Sequence, residues 1–558
     1  MNLPKKMEYY SRDELIKIIK TNQAIVGKNA HDIDAIKLLS QAHLRMANFQ
    51  AAAQQLSNLL KIDATQIWAY HELANILQRV AKPEEAKDLI RQALLVDSNN
   101  AQSHAVFGTL LAEENNLIAG EWHFRRALEL SPDNPKIQSK LALSLMQQGK
   151  TDEAYTHYQQ ASELAPNDFE IIAHWSKLCE VTGNLEQADK LLNKAASIAS
   201  PKSVDLLRSN YMARMGKHQQ VIEIISASKN PSGDALLERG KAYDRIGEYD
   251  NAWSDFVNGK EKLVKENPGL EYQTQPVNDF FAALTSFFTP ELMAQLPKAS
   301  VRKDGPQPIF VLGSPRSGTT LTERVLSAHC DIDAGGELVF LPELRELANK
   351  ILPNASFPSN LAYSCAADFR HLATLFRDQY LARAESAGLL NTGASFFTDK
   401  MPFNEIYMPL LKMAFPESPI VYVTRHPFDI CVSMMSHRIN HGFHCAYSVK
   451  NIVHHLNLVH TLTQHYRTIM DTQLLPFRYE DFVGNQEQQT RNLIDHIGLP
   501  FDDACLHFQR NKSYTPTPSY IQVQSKVSDK AIGRYKNYQQ HLIQYDSQLA
   551  CMLSDQGY

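Results

Sequence analysis

From residue 33 to about residue 265, apolar and small residues fall in paired helical stripes, and the stripes themselves recur every 34 residues. Ala52, Ala86, Gly120, Ala154 and Ala188 are successive members of one series, which then slips slightly to Val221 and Ala252. Seven residues beyond the members from Ala86 to Ala188 stand Ala93, Ala127, Ala161 and Ala195, and twelve beyond them stand Ser98, Pro132, Pro166 and Ser200. Another small residue comes earlier in the unit: Ala74, Gly108, Ala142, Ser176 and, in the last unit, Gly240. Such a period predicts a stack of helix-turn-helix units, each too small to bury its own apolar face without a neighbour. About seven units are predicted, with Ser11 to Lys28 as a capping helix. Near Asn267 the period stops. A proline-bearing segment follows, with one apolar helical stretch from Val277 to Phe288. Beyond it the pattern changes to short continuous apolar runs. "PIFVLG" and "PIVYVT" predict buried parallel strands. The first runs through "SPRSGTT" into "TLTERVLSAH", which has helical spacing.

Composition narrows this little. A chain of 558 residues with 44% hydrophobic and 21% charged residues is long enough for several folded units of ordinary globular type. A net charge of −5 argues against nucleic acid as a partner, because that needs a strongly basic face. No run of about 18 apolar residues predicts a membrane span, and the first twenty residues lack the apolar core of a signal peptide. The seven cysteines are widely spaced with no CxxC pair, which suits reduced thiols. A cytoplasmic protein is therefore expected. Nothing in the sequence reports its oligomeric state.

Candidate chemistry begins at "GSPRSGTT". Strand, glycine-bearing loop and helix form the setting in which amides at a helix N-terminus cradle a phosphate. A nucleoside triphosphate loop carries a lysine ahead of its hydroxyl residue, whereas this one carries Arg316. A nucleotide ending in a 5′-phosphosulfate lacks the terminal phosphates that make lysine and magnesium obligatory. Loop amides, Thr319, Thr320 and one planar guanidinium would satisfy it. In "VYVTRHPFDICVS", Arg425 ends a strand and Ser433 lies eight residues on in the following helix. The two would converge in the crevice where open α/β sheets bind ligands, and would clasp a second phosphate there.

Two resemblances extend this reading. The 34-residue units, with strings such as "RRALELSPDNP" and "GEYDNAWSDF", resemble tetratricopeptide repeats, which implies a superhelix whose concave face receives a peptide or protein. "GSPRSGTT", "GGEL", "TDKMPFN", "VYVTRHPFDICVS" and "FRYEDF" together resemble the sulfotransferase family, above all its tyrosylprotein branch. That resemblance implies 3′-phosphoadenosine 5′-phosphosulfate as donor, with no metal required. It assigns Arg316, Ser317, Gly318, Thr319 and Thr320 to the 5′-phosphosulfate, and Arg425 and Ser433 to the 3′-phosphate. Tyr479 would lie near the adenine, Glu337 would be the catalytic base, and Lys400 would contact the transferring group. Lys526, in a C-terminal stretch that matches more loosely, is a candidate donor-phosphate contact.

The expected architecture is thus multidomain: an all-α tetratricopeptide-repeat superhelix followed by an α/β, phosphate-loop-like domain with a central parallel sheet. The expected boundaries are 1–32 for the capping region, 33–265 for the array, 266–305 for a connecting segment and 306–558 for the sulfotransferase domain. The expected activity is sulfuryl transfer to a hydroxyl, with tyrosine of a peptide or protein favoured over glycan or small-molecule acceptors. Two other readings stay open: a nucleotide-dependent kinase, and an inactive adaptor whose array does the work. His437, His441, His444 and Cys445 have spacings a zinc site could use, but metal binding needs a convergent tetrahedral set. Residues 440–450 are read instead as a loop on the acceptor side.

Overall fold

A computed structural model describes residues 10–80, 82–114, 116–302, 305–352, 356–365, 371–439, 442–470, 474–510 and 527–558. It forms two compact units, Met1–Trp175 and Ser176–Tyr558.

In the first unit, helix α1 (Arg12–Lys28) opens on a capping box in which Ser11 and Glu14 satisfy one another's backbone amides. Helix pairs follow: α2 and α3 (Ile33–Arg45, Phe49–Ile62), α4 and α5 (Ile67–Arg79, Pro83–Val96), α6 and α7 (Ala101–Glu113, Leu117–Leu130), and α8 and α9 (Pro135–Gln147, Thr151–Leu164). Asn or Asp caps many of these helices, each side-chain oxygen accepting a first-turn amide. The periodic alanines are the contact points: Ala52, Ala74, Ala86, Ala93, Ala127, Ala142, Ala154 and Ala161 are fully buried. Gly108 shows why small residues are required there. A Cβ at this position would lie 2.9 Å from the Phe124 ring and 3.0 Å from the Gly120 carbonyl.

Helix α10 (Phe169–Thr182) spans the division between the units. The second unit continues with α11 (Leu185–Ile198), α12 and α13 (Pro201–Arg214, His218–Ser226), and α14 and α15 (Gly233–Ile246, Tyr249–Glu266). Two further helices, α16 (Thr274–Phe287) and α17 (Pro290–Gln295), lead to the sheet.

The sheet has five parallel strands in the order β2-β3-β1-β4-β5: β1 Gln307–Leu312, β2 Ile332–Asp333, β3 Phe396–Asp399, β4 Ile420–Thr424 and β5 Leu474–Arg478. Central β1 lies between β3 and β4, with Phe310 opposite Asp399 on one side and Ile420 on the other. Ile309, Phe310, Val311 and Leu312 are all fully buried, as a strand covered on both faces requires. Helices α18 (Thr319–Leu326), α19 (Phe340–Ile351), α20 (Leu372–Ser386), α21 (Met408–Ala414), α22 (Pro427–Met435), α23 (Val449–Ile469), α24 (Tyr479–Gly484) and α25 (Gln486–Ile497) complete the part that positions the site. Among the described residues, no helix is long and apolar enough to cross a membrane.

Candidate functional site

Parallel strands point their carboxyl ends the same way, and each of the five delivers a candidate residue at that edge. Strand β1 leads into Arg316 to Thr320, β2 reaches Glu337 four residues on, and β3, β4 and β5 are followed at once by Lys400, Arg425 and Tyr479. The order reverses at β1, which makes its end the crevice where open α/β sheets take ligands.

The turn after β1 is drawn tight by its glycines. A Cβ at Gly313 would meet the Val423 carbonyl at 2.5 Å, and one at Gly318 would meet the Tyr479 ring at 2.8 Å. Gly318 has φ 115° and Arg316 has φ 71°, a left-handed conformation uncommon for a residue with a side chain. Thr319 and Thr320 open α18 and are buried, so the first turn of that helix faces the loop.

The cations gather around this turn. Arg316 Nε donates to Ser433 Oγ at 2.8 Å, and Arg425 Nη1 donates to the Arg316 carbonyl at 3.1 Å. Arg425 lies 4.9 Å from the centre of the Tyr479 ring and donates to the Ala531 carbonyl. Burial, followed by repulsion from Arg425 and Arg534, brings the Arg316 pKa down to about 9, so the guanidinium stays charged at neutral pH. Three guanidinia sharing one region favour a polyanion. Ser317 Oγ and Arg425 Nε are buried without a hydrogen-bond partner among the described residues. Phosphate or sulfate oxygens would complete such groups, so the residues present fit a phosphosulfate nucleotide.

Beside the loop lies a second group. Lys400 Nζ donates to Glu337 Oε1 at 2.6 Å. Burial works against the Lys400 charge, but Glu337, Glu323 and Asp399 outweigh it and hold the lysine pKa above its ordinary value. The Gly335-Gly336 turn places Glu337 by bonding to what surrounds it. The Gly335 amide donates to Thr398 Oγ1 at 3.0 Å, the Gly336 amide to Glu323 Oε1 at 2.9 Å, and the Lys400 amide to the Gly336 carbonyl at 2.9 Å. Glu323 also accepts from Thr398 Oγ1 at 2.8 Å, and burial raises its pKa. Tyr380 donates to Asp399 at 2.6 Å, while burial pushes Asp399 up to about 7. The two groups meet where the Phe403 amide donates to the Gly313 carbonyl at 3.3 Å.

The structure therefore brings together Arg316, Ser317, Gly318, Thr319, Thr320, Arg425, Ser433 and Tyr479, and sets Glu337 and Lys400 beside the same strand edge. Lys526 and His441 lie outside the described residues. His437 is turned to structure, its Nδ1 3.0 Å from the Ser433 carbonyl and 3.0 Å from Ser436 Oγ. Sequence reasoning missed Glu323, Asp399 and Arg534. Asp399 at least had a signal, since it stands beside Lys400 in "TDK".

This fold is an α/β domain with a central parallel sheet of five strands and a glycine-bearing loop after the first of them. Residues 308–503 match the model of the sulfotransferase family, and residues 111–171 and 145–201 match a tetratricopeptide-repeat model. The chain thus joins a tetratricopeptide-repeat array to a sulfotransferase-family domain. It is 25% identical to an uncharacterised protein of Aquifex aeolicus over 64% of this chain and 47% of that one. It is 28% identical to protein-tyrosine sulfotransferase 1 of Danio rerio over 36% of this chain and 56% of that protein. The chain spans about half the length of these curated relatives. A tetratricopeptide repeat protein of Parabacteroides merdae aligns at 17% identity and a TM-score of 0.37, covering 42% of this chain and 96% of that one.

Proposed function

We propose that residues 306–558 move a sulfuryl group from 3′-phosphoadenosine 5′-phosphosulfate to a hydroxyl, with tyrosine of a peptide or protein as the favoured acceptor. One observation carries the reading: the arginine-lined loop and the Glu337–Lys400 pair stand on one sheet edge. The donor supplies an activated sulfuryl group and a stable bisphosphate leaving group. Transfer of this kind is an in-line displacement in which positioning and charge stabilisation do most of the work. Loop amides, Ser317, Thr319 and Thr320 hold the 5′ end, and Arg425 with Ser433 holds the 3′-phosphate. Glu337 takes the acceptor proton. Lys400 and Arg316 stabilise charge that develops on the bridging and sulfuryl oxygens. Seven widely spaced cysteines with no CxxC pair support a reducing, cytoplasmic setting.

The array, residues 33–265, is proposed to present the polypeptide acceptor. The test is to incubate the full chain with labelled phosphosulfate donor and cell extract in excess chelator, then separate protein, glycan and small molecules. Label on protein tyrosine is expected. Label confined to glycan or small molecules would overturn the acceptor class, and label on none, with no bisphosphate released, would overturn the enzyme reading.

A further inference from the structure

Helix α15 contains a lysine in an unusual place. Lys260 is fully buried, and its Nζ donates to the His437 carbonyl at 2.6 Å while lying 4.7 Å from the centre of the Tyr447 ring. His437 stands just past the end of α22, where helix carbonyls lack intrahelical partners and the helix dipole is negative. From there the connections run straight to the site. His437 Nδ1 reaches the Ser433 carbonyl, and Ser433 Oγ accepts from Arg316 Nε. Next to His437, Arg438 pairs with Asp234 of α14 at 2.7 Å.

The other end of α22 is held by the same helix pair through an intermediate segment. Asp429, in the first turn of α22, accepts the Gly533 and Tyr535 amides at 2.7 and 2.9 Å. Between those two residues, Arg534 pairs with Asp244 of α14 at 3.0 Å, and Tyr538 donates to the same carboxylate. Trp253 of α15 stacks on His541 with ring centres 5.1 Å apart. The segment held in this way also supplies the Ala531 carbonyl to Arg425.

We propose that α14 and α15 are a working part of the donor site: through Lys260 and Asp244 they fix both ends of α22, and so set the Ser433–Arg316–Arg425 geometry that receives the 3′-phosphate. Lys260 and Asp244 are positioning residues, since neither touches the donor. The inference rests on the reading of this site as a 3′-phosphonucleotide site.

Calorimetry on the full chain tests it, with adenosine 3′,5′-bisphosphate and adenosine 5′-monophosphate as probes. Lys260→Met keeps the apolar stem and removes the donor group; Asp244→Asn is the second variant should the first not fold. Each folded variant is expected to lose about tenfold of its preference for the bisphosphate, the scale of one charge-assisted contact, while binding the monophosphate as before. A purely structural role would weaken both ligands alike or neither, and either result overturns the proposal. If the unmodified chain shows no preference for the bisphosphate, the donor-site reading itself falls.

Discussion

The first unit keeps most of its ion pairs at the surface, though Lys87 and Glu121 are buried, whereas the sheet edge of the second buries its charges. In the first unit, ion pairs such as Arg126–Glu129 and Arg91–Asp88 lie on the helix surfaces, where water screens them and each contributes little. At the sheet edge Lys400, Glu323, Asp399 and Glu405 are all at most 3% exposed. Buried charges are costly unless paired, and breaking such a pair costs far more than its net contribution suggests. The contrast separates what each region asks of its sequence. The helical stack needs small residues at the contacts and tolerates changes of surface charge, whereas the sheet edge needs particular charged groups in particular places.

The sharpest way to break that comparison is at Glu337. Glu337→Gln keeps an oxygen that can accept from Lys400 but removes the proton acceptor. Turnover is expected to fall about a hundred- to ten-thousand-fold. Bisphosphate affinity, measured by calorimetry, is expected to stay near that of the unmodified chain. An unchanged turnover number would take the base role away from Glu337.

Next in size is Gly335→Ala. A Cβ there would sit 2.0 Å from the Thr398 carbonyl, which is strand backbone and cannot yield cheaply. A loss of about 3 kcal/mol in stability is expected, at the upper end for overpacking. Because the same turn places Glu337, turnover should fall with it. A chemical melt of the second unit together with an activity assay checks both, and a change in neither would show that the turn has slack.

How much of this was legible follows from distance along the chain. The helical stack was readable because one weak signal, a small residue, is repeated at a fixed interval and so amplified. The loop and Arg425 were readable because each adjoins an apolar run that can only be a strand, and strand ends are where such sheets bind. Glu337 and Lys400, 63 residues apart, emerged only through the family resemblance. Glu323 was hidden altogether. It sits within a helical pattern as an ordinary charge, and its partners lie 13 and 75 residues further on, so only the folded sheet shows that it is interior. Lys260 is a stronger case, since 177 residues separate it from the carbonyl it serves.

Gly108→Ala is the counterpart in the first unit. Its Cβ would press on the Phe124 ring at 2.9 Å, and a side chain yields more readily than a strand carbonyl. A cost of about 2 kcal/mol is expected, confined to α6 and α7. Hydrogen exchange should speed up in those two helices while bisphosphate affinity is unchanged. Weakened nucleotide binding would show that the two regions are less independent than their chemistry suggests.

The last effect is the one whose sign most clearly marks the interior of the second unit. Glu405 is fully buried, its carboxylate oxygens make no regular hydrogen bond among the described residues, and burial lifts its pKa to about 7 against the partial help of the Gly313 and Glu405 amides. Below about pH 4.5 the folded and unfolded chains both hold this proton. As pH rises from there to 7 the unfolded chain releases it and the folded chain does not, so stability falls across that window and levels off above it. Asp399, lifted from 3.8 to about 7, has the same sign. Glu405→Gln resembles the protonated acid in shape and cannot ionise. It should match the unmodified chain near pH 4 and exceed it at pH 8, flattening the descent, which Asp399 and Glu323 would still maintain. Thermal melts at the two pH values decide it: a Glu405→Gln curve parallel to that of the unmodified chain would mean that Glu405 ionises at its ordinary value, and that this interior is wetter than its packing implies.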